Sequence, residues 1–290
     1  MKELQDGLTK LQTLYSFSKK ISMINSAKRA TTERTILLEK LLEKILLHDH
    51  SILLLLGVIP EHIQELDVSL IASAARNIME TANLYFHLSQ KGLDREDLDL
   101  RVDTMVLNEI YNEIDITGKF GFSPDSFHAQ IKRWFYKSAA ERFQKYPHFT
   151  QLPPNEQAQI VSGWKPAFKM ESPHILQERM ESAVYNLLSN SVHSLPLGLS
   201  SNSVNRFPLF QNFFRAEELL VIAIHVSCLY TAHVVKNYLN LRKHLSALLS
   251  LEEKKILISD LSAADLETYI HALGEAYENT PFDEDKRNST

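Results

Sequence analysis

Arg76 and Glu80 stand four residues apart, which on a helix puts a guanidinium fork and a carboxylate side by side on one face. Their neighbours Leu70, Ile71, Ala74, Ala75, Ile78, Met79 and Leu84 are apolar, so this is not a free surface pair. A buried charge without a partner is strongly unfavourable, and each group therefore needs the other. Taken alone, the pair reads as an internal salt bridge that fixes helix register. With a ligand, it reads as an arginine binding an anion while Glu80 orients it, because arginine offers a planar fork of donors for phosphate or carboxylate.

Tyr185, Ser189 and His193 form the second constellation, at intervals of four along one helical face beside Leu188 and Val192. His193 precedes a stretch rich in Ser, Asn, Pro and Gly, residues 195–208. A histidine placed there serves either as a proton donor and acceptor or as a cap for terminal carbonyls. Polar groups on or near apolar faces are most easily satisfied by one another. Arg76, Glu80, Tyr185, Ser189 and His193 are accordingly the candidate ligand-binding set, and His193 is the candidate catalytic residue.

Other chemistries fail on spacing. Many nucleotide-binding helical bundles of the superfamily shared by higher eukaryotes and prokaryotes are metal-independent ribonucleases with an Arg followed four to six residues later by a His. The nearest pattern here is Arg142-Phe143-Gln144-Lys145-Tyr146-Pro147-His148. Pro147 ends the helix before the ring, so the match reads as chance. A di-iron bundle needs Glu-x-x-His on two helices, but the sole Glu-x-x-His, Glu171 to His174, contains a proline at a helix start. His48 and His50 would face different directions, while His225 and His233 could share a face; core or surface positions account for both pairs. No nucleophile elbow, phosphate loop or dinucleotide fingerprint occurs. Neither a metal nor a cofactor is expected.

The composition bounds the function classes. The 290 residues carry a formal net charge of −5 and are 44% hydrophobic, enough for a sizeable core and poor in the basic excess of a dedicated nucleic-acid domain. The densest positive cluster, Lys19, Lys20, Lys28 and Arg29, reads as a solvated helix end. One cysteine, Cys228, rules out an internal disulfide or a cysteine zinc cluster. The first residues lack the apolar core of a signal peptide, and the apolar run 52–59 is too short to span a bilayer. A soluble cytoplasmic protein without membrane association is the expectation.

Periodicity predicts an all-α, single-domain helical bundle with an N-terminal helical hairpin over residues 1–58, a bundle core over 60–278 and a disordered tail over 279–290. Helices are expected at 2–26, 32–56, 67–91 with Asp67 as cap and Gly92 as stop, and 94–118 with Asp94 as cap. Ser123 with Pro124 should start the next, ending near Tyr146. Residues 147–173 lack clean periodicity and hold several prolines, so they read as a loop of the kind that often carries function. Further helices are expected at 172–194, from 209 almost to 249, at 251–259 and at 262–277. The run 219–235 is apolar around its circumference and belongs at the centre.

The helix Arg76-Asn77-Ile78-Met79-Glu80 with Tyr85, the Trp164 loop, and the run Tyr185-Asn186-Leu187-Leu188-Ser189-Asn190-Ser191-Val192-His193 resemble a family of helical bacterial proteins known only as a domain of unknown function. The likeness covers roughly residues 60–240 and leaves the N-terminal hairpin outside. It implies that Arg76, Glu80, Tyr185, Ser189 and His193 meet in one polar site, and it supplies no reaction. The expected function is a ligand-binding or regulatory protein that takes an anionic small molecule, nucleotide or RNA phosphate. The alternatives are a metal-independent ribonuclease using His193 as general acid and base, and a structural scaffold that binds a partner.

Overall fold

A computed structural model describes residues 2–26, 32–57, 67–121, 123, 126–163, 174–192 and 216–278. Every regular element among them is a helix, so the chain is all-α. In order these are α1 (Lys2–Ser26), α2 (Glu33–Gly57), α3 (Val68–Ser89), α4 (Arg95–Lys119), α5 (Phe127–Phe143), α6 (Pro147–Thr150), α7 (Pro154–Val161), α8 (Glu178–Val192), α9 (Ala216–Leu241), a 3-10 turn (Lys243–Leu248), α10 (Leu251–Ser259) and α11 (Ala264–Glu278). The chain's contacts gather into two compact units. The first comprises Met1–Arg29, Glu39–Asn83 and Pro173–Thr290, and the second Ala30–Leu38 and Leu84–Ser172.

The first unit is organised around α9, which is buried on all sides from Leu219 to Leu239 apart from a few positions such as His225, His233 and Lys236. This helix is long and apolar enough to cross a membrane, and 83% of its most apolar window is buried inside the protein. Helix α1 packs along it, with α10 and α11 also against α9. The approach of α1 is close at Gly7, where an added Cβ would lie 3.0 Å from the Ile224 side chain. Cys228, one turn further along α9, points its thiol at the Gly7 carbonyl, 3.8 Å away. From α2, Asp49 is fully buried and accepts a hydrogen bond from Thr231 of α9 at 3.0 Å. The His50 ring stacks on Tyr15 of α1.

In the second unit α4 and α5 run antiparallel. Asp103 pairs with Arg142, and ten residues further along α4, Glu113 pairs with Lys132, ten residues back along α5. Between them and the short helices lies a core of Leu107, Ala139, Phe143, Phe149 and Ile160. The Phe143 and Phe149 rings stack with centroids 5.4 Å apart.

Several boundaries differ from the sequence expectation. Helix α5 begins at Phe127 rather than beside Pro124, because Ser126 caps it by accepting from the Ala129 amide at 3.2 Å. Within the expected loop 147–173, α6 and α7 each start on a proline at the first helical position, where the missing N–H would have been unpaired in any case. Helix α8 starts at Glu178, preceded by non-helical residues 174–177. Helix α9 ends at Leu241, where Arg242 leaves the helical path (φ −121°, ψ 59°) and reaches Glu39 instead. The expected tail 279–290, Pro60 and Pro124, Lys28 and Arg29, and the Trp164 segment lie outside the described residues.

Gly163, which ends α7, has φ +67°, and a Cβ there would meet the Tyr111 Cβ at 2.9 Å and the Leu107 carbonyl at 3.1 Å. Its own carbonyl accepts from the Asn108 amide at 2.8 Å. Gly163→Ala should therefore lower unfolding free energy by about 1–2 kcal/mol, the typical penalty of a left-handed residue with a Cβ. Urea denaturation checks this; an unchanged midpoint would show that α7 can pivot away from α4.

Candidate functional site

Helix α3 presents Arg76 and Glu80 one turn apart, and α8 brings Tyr185 to them. Arg76 donates from both Nε (3.0 Å) and one terminal nitrogen (2.9 Å) to the Glu80 Oε1. The Tyr185 hydroxyl donates to that same oxygen at 2.7 Å. The guanidinium also lies over the Tyr185 ring, 5.5 Å from its centroid, a cation–π placement. Three donors thus converge on one carboxylate oxygen. The bond to Glu80, together with partial burial, pushes the Tyr185 phenol up, so it remains a donor throughout the neutral range.

The group is half-buried, with the Arg76 side chain 26% exposed and that of Glu80 43%. Arg76 also interacts directly with the Tyr185 side chain, and the three bonds to Glu80 all end on its Oε1. The guanidinium and the carboxylate are thus both partly open to solvent.

Ser189 is half-buried on the next turn of α8, and no hydrogen bond joins it to Arg76, Glu80 or Tyr185. His193 lies outside the described residues. One turn in the other direction, Glu181 extends the same face. It accepts from the Tyr230 hydroxyl of α9 at 2.6 Å and contacts the His174 Nδ1 at 2.9 Å. Burial and the bond to Glu181 push the Tyr230 phenol up; the bond to Glu181 holds the exposed His174 imidazole above its ordinary value. The signal for Glu181 was present in the sequence as one more four-residue step ahead of Tyr185, but its partner Tyr230 sits inside the apolar run that reads as core.

Arg142 and His148 serve separate interactions in the second unit. Arg142 donates twice to the buried Asp103 carboxylate, at 3.1 Å each, and the Tyr146 hydroxyl donates to the same group at 2.8 Å. His148, on the short helix α6, sits at the start of α4. Its backbone N–H donates to Glu96 at 2.6 Å, its Nδ1 lies 2.8 Å from Asp97 and its Nε2 3.6 Å from Asp94. Asp94, Asp97 and His148 are close enough to hold a metal ion. Both ring nitrogens, however, already face carboxylates, and Asp94 also caps α4 through the Asp97 amide, an arrangement that suits an imidazolium.

The hydrogen bond to Asp97 raises the His148 pKa above its ordinary 6.5. A raised folded value means the folded state holds the proton more tightly than the unfolded chain. The stabilisation is complete below about pH 6.5 and disappears as pH rises through the folded value. The melting temperature of the protein should exceed that of His148→Gln at pH 5.5, and the difference should shrink above neutrality. A gap that is constant with pH would show that the ring acts by packing alone.

No family model, no curated protein and no solved structure matches this chain.

Proposed function

We propose that the protein is a ligand-binding or regulatory protein that takes a nucleotide, or another small anion bearing hydroxyl donors, at the Arg76–Glu80–Tyr185 group. The observation that supports this reading is an arginine and a carboxylate, both partly exposed, held side by side and braced by Tyr185. A bare anion would meet the guanidinium but be opposed by the adjacent carboxylate. A phosphorylated sugar satisfies both, with phosphate oxygens on Arg76 and hydroxyls donating to Glu80. Tyr185 holds the two charges in register from the opposite helix. Membership in the helical family of unknown function, with Ser189 and His193 completing the site, belongs to the same proposal.

Calorimetric titration with nucleoside mono- and triphosphates tests it. Arg76→Gln should weaken binding at least about tenfold, or 1.4 kcal/mol, and inorganic phosphate at equal concentration should bind far more weakly than the nucleotide. Equal affinity of the variant sinks the reading. Whether His193 joins the site is tested by a double-mutant cycle with Arg76→Ala and His193→Ala. A shared site gives a coupling of roughly 0.5–3 kcal/mol, and additivity within about 0.3–0.5 kcal/mol excludes it. RNA cleavage that is lost in His193→Ala would favour the ribonuclease instead.

A further inference from the structure

Where the end of α9 turns back through the 3-10 segment into α10, a cleft of about 420 Å³ opens, within the size range of small-molecule sites. Lys236, Lys243 and Lys254 stand on its walls, and among the described residues no acidic one lines it. Its floor is apolar, formed by Leu239, Leu249 and Leu257, which are 5%, 5% and 3% exposed.

The three ammonium groups have no hydrogen bond or ion pair among the described residues. The carboxylates that neighbour Lys254 in the chain are engaged elsewhere, Glu252 with Lys255 and Glu253 in the cap of α10 through the Ser250 amide, and Glu39 of α2 pairs with Arg242, the residue before Lys243. Three like charges around one concavity repel each other, and a bound anion relieves that repulsion.

From this juxtaposition we infer that the cleft is a binding site for a small amphipathic anion, a phosphate or carboxylate head carried on a short hydrocarbon body. The lysines take the head, and the leucines take the body. This inference stands apart from the proposed nucleotide site, which uses none of these residues.

Octyl phosphate and octanoate, kept below their micellar concentrations, are suitable probes, with inorganic phosphate and octanol as half-ligands. Calorimetry on the full chain should show the two amphiphiles binding at least tenfold more tightly than either half-ligand. Lys236→Gln/Lys243→Gln/Lys254→Gln should lose that binding, as should Leu257→Asn, which spares the charges. Arg76→Gln should leave it unchanged, so failure here and failure of the nucleotide reading are separable. The single variant Lys236→Gln, at an exposed position, should weaken binding severalfold and guards against a misfolded triple variant. Circular dichroism confirms that each variant folds. Binding of inorganic phosphate as tight as that of octyl phosphate, retention of affinity in the triple variant, or binding only above the micellar concentration would each overturn the assignment.

Discussion

Phe143→Ala should lower unfolding free energy by about 3–5 kcal/mol, as truncating a large buried aromatic side chain does elsewhere. Phe143 is 0% exposed and lies at the centre of the second unit's core. Its ring is stacked on Phe149 at 5.4 Å and meets Tyr146 edge-on at 6.3 Å, so the substitution removes both aromatic contacts and leaves a void. Helices α6 and α7 are too short to persist without that core. Their docking on α4 also relies on Phe149 and Ile160 staying in place. Urea denaturation followed by tryptophan fluorescence and far-ultraviolet circular dichroism gives the loss directly. A change below about 1 kcal/mol would mean that the cluster collapses around the void and that Phe143 is not its centre.

Asp49→Asn should stabilise the protein at neutral pH and do nothing in acid. Asp49 is 0% exposed; one carboxyl oxygen accepts from Thr231 and the other has no partner among the described residues. Burial pushes its carboxyl well above the ordinary 3.8, outweighing the Thr231 bond that pulls it down. The folded state therefore holds a proton that the unfolded chain gives up. Below about pH 4 both states are protonated and the group is neutral in each. As pH rises from there towards the folded value, the unfolded state gains the freedom to ionise and stability falls. Asparagine keeps the shape and the acceptor but cannot ionise, so the stability lost by Asp49 as pH rises is not lost by the variant. Thermal melts of both proteins from pH 4 to 8 should diverge as pH rises. Parallel curves would show that the Asp49 carboxylate is solvated or paired.

Much of the helical layout was legible because its signals are local. Asp67 and Asp94 cap α3 and α4 through the Ser69 and Asp97 amides, and Gly92 follows α3 with φ +81°; each follows from residue type and position alone. The prolines misled where they are ambiguous. Pro147 and Pro154 read as breakers of a loop, yet each occupies the first position of a new short helix, and only the docking of Phe149 and Ile160 into a core decides between the two roles. The capping box Ser250–Glu253 went unread although its spacing was plain.

Around the candidate site, the four-residue steps on α3 and α8 pointed to Arg76, Glu80 and Tyr185, because helix periodicity alone puts such groups on one face. Glu181 was missed for a different reason. Its partner Tyr230 and the Asp49–Thr231 bond depend on helices that are far apart in the chain, and such pairings have no local signature. The lysine cleft was equally hidden, since Lys236, Lys243 and Lys254 come together only through the turn between α9 and α10.

The seam between α1 and α9 holds the chain's single sulfhydryl, 5% exposed and pressed towards the Gly7 backbone. Burial pushes the Cys228 thiol well up, which removes the nucleophilic thiolate as well as the access route. Lifting α1 from α9 opens this sulfur to an oxidant or alkylating agent. Each modified molecule is then a lasting chemical record that its seam once came apart, and the rate at which such molecules accumulate measures how often the N-terminal helix leaves its place.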